Sequence, residues 1–439
     1  MIVLPRGLIS APPIADSAAD AGNPGAGFRR STLANGLTVV SEYMPSVRSV
    51  ALGVWVRRAS VHERRDEMGV SHFLEHLVFK GTERRSAREI ALSLESLGGS
   101  LDAFTSREHT SFQARVLDEH LPQAADVLCD LIFRPALRES DLSLERNVVL
   151  EEIAMVEDTP DDLVFELHNE ALWGSHPYGY AILGTRETIG AMPVEAVRAL
   201  HGSAYRPQHM VVAAAGRVQH DELLEILSRT GWESFAGGEP EGPVVPEPVA
   251  EPPSRRHIGR EGHQTHIVLG SPSVRYSDPR RYAVSLTGLM LGGGMSSRLF
   301  QRVREELGLA YSVYAFQSFH HDSGLQGIYA GTSPETAGRA LDEILKELTR
   351  MAAEGFPAEE IEAGKSQLKG QLTLSLESPA SRMYRVASSA LYGESFTPLD
   401  ETLAKIDAIT PTQVAEACHD LFNPERQTVV TLGRSVDLP

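Results

Sequence analysis

Short runs in which apolar and polar positions alternate, punctuated by turn residues, mark strands in this 439-residue chain, and longer stretches with helical spacing lie between them. In the first half Asn35-Gly36 marks a hairpin, LTVVSEY and VALGVWVR read as strands, and LDAFTSREHTSFQARVL reads as two strands around Arg107 and Glu108. The second half offers THIVLGSPSV, YSVYAFQSF and GLQGIYAGT as strands, with helices near 279–306, 333–353 and 357–393. His320, His321 and Asp322 fall between two of these strands and read as a polar hairpin turn. The halves also close on a similar phrase. YRPQHMVVAAAGRV (205–218) and FNPERQTVVTLGRSV (422–436) keep Pro207 to Gly216 and Pro424 to Gly433 at the same separation. Such recurrence is the mark of a duplicated domain.

The segment GGEPEGPVVPEPVAEPP (237–253) separates the halves, because repeated prolines forbid helix and discourage strand pairing. The pattern therefore predicts an α+β chain of two homologous domains, each an antiparallel β-sheet packed with helices. The expected divisions are a flexible leader at 1–27, an N-terminal domain at 28–236, a Pro/Gly-rich linker at 237–254 and a C-terminal domain at 255–439. Composition adds exclusions. A formal net charge of -18 argues against nucleic-acid binding, which needs a cationic surface, and favours basic substrates. Cys129 and Cys418, in apolar helix-like stretches, imply neither a disulfide framework nor a thiolate metal site. No run approaches the ~18 apolar residues of a membrane span. The start, MIVLPRGLIS, lacks a basic segment and is broken by Pro5, so a cytoplasmic location of the bacterial type is expected.

Chemistry concentrates in GVSHFLEHLVFKGT. Val70, Phe73, Leu74, Leu77 and Val78 recur at helical spacing and Gly81 stops the run. His72 and His76 stand one turn apart on this helix, so both imidazoles can meet one metal ion, with Glu75 beside them. The spacing H-x-x-E-H is one of the arrangements used by zinc hydrolases. A third ligand is needed, and DLSLERNVVLEEIAMVED (141–158) is the best source. Glu145, Val149, Glu152 and Val156 share one stripe of this helix, whereas Glu151 shares another with Leu144, Val148 and Met155. Periodicity alone leaves both open. Gly292 to Gly294 lack the accompanying residues of a phosphate loop.

GVSHFLEHLVFKGT, followed after about 76 residues by ERNVVLEEI, resembles the pitrilysin-like (inverzincin, M16) metallopeptidases, in particular the branch containing mitochondrial processing peptidase and its bacterial relatives. The likeness runs from about residue 28 to the C-terminus and implies a LuxS/metallopeptidase-like fold. It places the third zinc ligand on Glu152, an auxiliary catalytic glutamate on Glu145 and the general base on Glu75, with one Zn2+ per chain. It also implies that a peptide adds to the edge strand LDAFTS (101–106), with Asp102 and Ala103 as contacts; many relatives carry Asn where this chain has Asp102. Phe79 resembles the wall of the pocket just after the scissile bond, and Asp162 and Glu166 an acidic pair receiving an arginine before it. GGGMSSRLFQRVREELGLAYSVYA (292–315) carries Arg304 and Tyr311, which the resemblance assigns to the substrate carbonyl.

Larger single-chain relatives use four such domains, so a two-domain chain implies a dimer. A homodimer is favoured, because the zinc motif and the Arg304/Tyr311 signature occur together; a heterodimer with a related subunit is the other arrangement. Two rival readings are a structural subunit resembling the core proteins of respiratory complexes and a zinc hydrolase acting on small molecules. Retention of His72, Glu75, His76 and Glu152 speaks against the first, and the edge strand with the acidic pair against the second.

Overall fold

Two sheets form, one from each half. The computed structural model describes residues 27–238 and 244–434; the leader expected at 1–27 lies, apart from Gly27, outside them. The first sheet contains β1 (Phe28–Thr32), β2 (Thr38–Tyr43), β3 (Ser49–Val56), β4 (Ser100–Thr105), β5 (Thr110–Leu117) and β6 (Met210–Gly216), in the order β1-β2-β6-β3-β5-β4. The second contains β7 (Arg255–Gly259), β8 (Thr265–Ser273), β9 (Ala310–Phe319), β10 (Gly324–Thr332) and β11 (Thr428–Gly433), in the order β7-β11-β8-β10-β9. The chain thus has two domains, each a sheet packed against helices.

The sheets are mixed rather than wholly antiparallel. β6 runs parallel to β2 and antiparallel to β3, and β11 runs parallel to β7 and antiparallel to β8. The reason is connection length: each closing strand returns after several helices, and only such long crossovers permit parallel pairing. These two strands are the repeated sequence phrases, so the repeat marks one structural position used twice. Each ends on a glycine with positive φ, Gly216 at 124° and Gly433 at 154°.

The expected helices are also cut shorter. Helix Arg281–Gly292 stops at the glycine run, and Phe300–Glu306 winds as a separate π-helical segment. The stretch 357–393 forms two helices, Ala358–Ser375 and Pro379–Leu391, because Pro379 has no amide to continue the first and suits the start of the second. Residues 333–353 yield one helix, Ala337–Glu354.

The domains exchange helices. Helix Pro160–Trp173, from the first half, lays Val164 and Ala171 against Val268, Tyr329, Val430 and Leu432 of the second sheet. Helix Pro379–Leu391, from the second half, packs Met383, Val386, Ala387 and Ala390 on Val40, Ala51, Trp55, Val211, Ala213 and Ala215 of the first. Alanines on both sides let that helix approach the sheet closely. Each sheet therefore has its own domain's core on one face and the other domain's helix on the opposite face.

A Cβ on Gly216 would sit 2.2 Å from the Ser49 carbonyl oxygen. Gly216→Ala is expected to lower the unfolding free energy by about 2 kcal/mol or more, from this clash and the positive φ together. Urea titration of the two proteins checks this, and an unchanged midpoint would contradict it.

Candidate metal centre

The helix Val70–Val78 is fixed at its start. Gly69 adopts a left-handed φ of 89°, and the buried Glu63 carboxylate accepts from the amides of Gly69 and Ser71, both at 2.8 Å. Those amides belong to a helix N-terminus, where donors lack partners and negative charge is favoured. Phe73, Leu74, Leu77 and Val78 then bury into the core of the first domain. That packing leaves His72 and His76 on the face turned toward helix Glu139–Asp158, which crosses with Leu142, Val149 and Ile153 buried.

The crossing separates the two glutamate stripes. Leu144 and Met155 are exposed, at 67% and 64% of their surface, and Glu151 shares that solvent face. Glu145 and Glu152 turn inward. Glu152 Oε2 lies 3.6 Å from His72 Nε2 and 3.5 Å from His76 Nε2, and the three donor atoms fall within 4.8 Å of one another. Glu145 Oε2 lies 3.1 Å from His76 Nδ1, and its other oxygen is 2.6 Å from Lys80 Nζ. A carboxylate accepts, so a hydrogen bond here is one that His76 Nδ1 donates, with Nε2 turned toward Glu152. Burial, reinforced by the neighbouring His76, pushes the pKa of His72 down to about 3, so its imidazole is neutral at pH 7. His72 Nδ1 is buried with no hydrogen-bond partner among the described residues.

Glu75 stands beside these groups, 9% exposed, and accepts a hydrogen bond from Thr105 Oγ1 at 2.6 Å. Burial raises its pKa, opposed by that hydrogen bond and by the nearby His76. Thr105 ends β4, the edge strand, which among the described residues pairs with β5 alone. Leu101 and Ala103 on this strand pack toward the first-domain core, whereas Asp102 is exposed and opposes Gln113, whose amide bonds Tyr384 of the exchanged helix. Ala103 and Thr105 therefore face the histidine helix side, and Asp102 the other. Phe79 caps the histidine helix and is half-buried, its ring 6.2 Å from Phe112. Asp162 is exposed and Glu166 half-buried; both line a cavity of about 420 Å³, and Glu166 lies 4.0 Å from Arg107. In the second domain, the Arg304 guanidinium stacks 5.3 Å from the ring of Tyr311, which is 74% exposed. His320 to Asp322 form the turn between β9 and β10, and both cysteines are buried and free.

Three residues at this centre escape a reading of the sequence. Lys80 and Glu63 carry no signal, being single charges whose partners are set by folding. Thr105 could have been found, since it shares the core-facing parity of Leu101 and Ala103 and is the polar member of that set.

Comparison with known proteins places this architecture in a family. The profile described as insulinase (peptidase family M16) matches residues 38–186, and that described as peptidase M16 inactive domain matches residues 191–368. The chain belongs to the M16 peptidase family. It is 40% identical over 415 residues to the uncharacterized zinc protease SCO5738 of Streptomyces coelicolor, covering 92% of this chain and 89% of that one. To the uncharacterized zinc protease YmxG of Bacillus subtilis it is 40% identical, covering 94% of this chain and all of the relative (100%). Among solved structures, a peptidase M16 inactive domain from Pseudomonas fluorescens shares the fold with a TM-score of 0.87 at 21% identity, covering 94% of this chain and 99% of that one. A protease from Helicobacter pylori does so with a TM-score of 0.84 at 20% identity, covering 92% and 99%.

Replacing Glu63 by Ala strands two buried amides at the start of the histidine helix. Stability should fall by about 1–3 kcal/mol. Chemical denaturation of Glu63→Ala against the parent measures this, with equal stability as the contrary outcome.

Proposed function

We propose that the protein is a zinc-dependent endopeptidase holding one Zn2+ per chain on His72, His76 and Glu152. The convergence of those three side chains carries the reading. Donors about 2.0–2.1 Å from one tetrahedral ion lie about 3.4 Å apart, and Glu152 Oε2 is 3.6 Å and 3.5 Å from the two imidazole nitrogens. Two imidazoles and a carboxylate are also the ligand set of a catalytic zinc site, which leaves a fourth position open. The zinc-protease names of relatives at 40% identity point the same way. Bound there, zinc would supply the Lewis acidity that peptide hydrolysis needs.

The chain's own residues do the rest. Glu75 takes the proton of the attacking water and returns it to the leaving amine; Thr105 holds one of its oxygens, leaving the other for the transfer. Glu145 acts through His76, fixing its tautomer and ring, and Lys80 neutralises Glu145. An extended peptide adds to the free edge of β4 near Ala103 and Asp102, with Phe79 beside the residue after the cut. Asp162, Glu166 and the acidic surface favour basic peptides, with Arg107 moderating Glu166. Arg304 and Tyr311 of a second copy close over the site in a homodimer, or those of a related subunit in a heterodimer. Among the described residues no helix is long and apolar enough to cross a membrane.

Glu75→Gln should retain zinc and lose at least about a hundredfold in turnover, whereas Glu152→Ala should lose the metal itself. Metal analysis beside hydrolysis of a basic peptide tests both; a fully active Glu75→Gln protein would sink the reading. Glu145→Ala is expected to release zinc to a competing chelator about 10–100 times more readily, and wild-type retention would remove Glu145 from the site.

A further inference from the structure

The turn joining β4 to β5 holds a carboxylate that the chemistry above does not use. Glu108 lies three residues beyond Thr105, with its side chain 13% exposed. Its Oε1 accepts from Tyr178 Oη at 2.8 Å and from the backbone amide of His321 at 2.8 Å. Its Oε2 accepts from Tyr392 Oη at 3.1 Å and again from the His321 amide at 3.1 Å. The His320 ring stacks 4.8 Å from Tyr178, closing the pocket. Two of these partners belong to the second domain: His321 sits on the β9–β10 turn, and Tyr392 ends the exchanged helix Pro379–Leu391.

The neighbouring residue ties the same turn to the first domain. Arg107 donates from Nη1 to the Tyr180 carbonyl at 2.8 Å, and its own carbonyl accepts from the Val61 amide at 2.8 Å. The turn is also closed on itself, Ser106 N donating to His109 O at 2.9 Å. A short turn gripped from both sides has little freedom, and β4 leads directly from it to the hydroxyl that holds Glu75. A buried carboxyl group held by three donors is a rigid joint, because breaking a contact leaves a buried polar atom unsatisfied.

We propose that Glu108 is a positioning residue: it fixes the β4–β5 turn against the second domain and thereby sets, through Thr105, where the Glu75 carboxylate stands relative to His72, His76 and Glu152. This rests on the reading of Glu75 as the base. A base displaced by an ångström costs rate far more than affinity, so the effect falls on kcat.

Steady-state kinetics on a basic peptide, with zinc content and urea stability measured in parallel, test it on Glu108→Ala, Glu108→Gln and Tyr392→Phe. Glu108→Ala should lower kcat about tenfold with KM within about twofold and zinc retained. Glu108→Gln, which keeps the volume and one acceptor oxygen, should restore most of that loss. Tyr392→Phe should lower kcat about threefold, and its effect should vanish in the Glu108→Ala background. Wild-type hydrolysis together with an inert Glu75→Gln protein establishes the base independently. Given those two results, a folded Glu108→Ala enzyme with wild-type kcat, or one that only loses stability, overturns the positioning role and leaves the base assignment standing. Should Glu108→Ala fail to fold, Tyr392→Phe with unchanged kcat overturns it instead. An active Glu75→Gln protein removes the base and the positioning role together.

Discussion

The arrangement depends on one packing contact, that of helix Val70–Val78 against helix Glu139–Asp158. Both helices send apolar side chains into the first-domain core, yet the strip between them carries two imidazoles and two inward carboxylates. Polar groups so placed are costly unless each is answered. Lys80 answers Glu145, Glu145 answers His76, and Thr105 answers Glu75. Glu63 holds the end of the histidine helix by its amides. Among the described residues, the two Nε2 atoms and the Glu152 carboxylate are left for a cation to satisfy, and His72 Nδ1 also stays without a partner.

The edge strand gives this cluster its geometry. An unpaired strand edge invites unwanted association and is commonly blunted by charge. β4 carries the exposed Asp102 near its middle and meets the histidine helix on its other face. The same strand can therefore offer a backbone ladder to an extended chain and deliver a hydroxyl to Glu75. Binding and proton transfer then share one rigid element, and a substrate in register on β4 is in register with the carboxylate beside it.

The histidine helix was legible because its residues lie within a few turns of one another and repeat at helical spacing. The choice between Glu151 and Glu152 was not legible from periodicity, because both stripes of the helix are apolar; Leu144, Val148 and Met155 are large, hydrophobic and nonetheless exposed. The resemblance to a family pointed to Glu152, and the crossing of the helices turns that residue inward. The two-domain sheet-and-helix class was readable from the repeated closing phrases, whereas the parallel pairing of β6 and β11 depends on crossovers about which local alternation is silent. Pro379 was a visible break in the stretch 357–393. The exchange of helices left no trace, since an apolar helix face states that it will be buried without stating against which sheet.

That exchange makes the two domains mechanically inseparable. Helix Pro160–Trp173 and helix Pro379–Leu391 each leave home to roof the neighbour's sheet, so severing the covalent connection would leave the halves clasped. Neither half alone is a closed globule, because removing its neighbour bares an apolar sheet lined by Val40, Trp55 and Val211 in one case and Val268 and Val430 in the other. Two helices traded within one chain thus do what a domain swap does between molecules: each sheet is closed only with its neighbour in place.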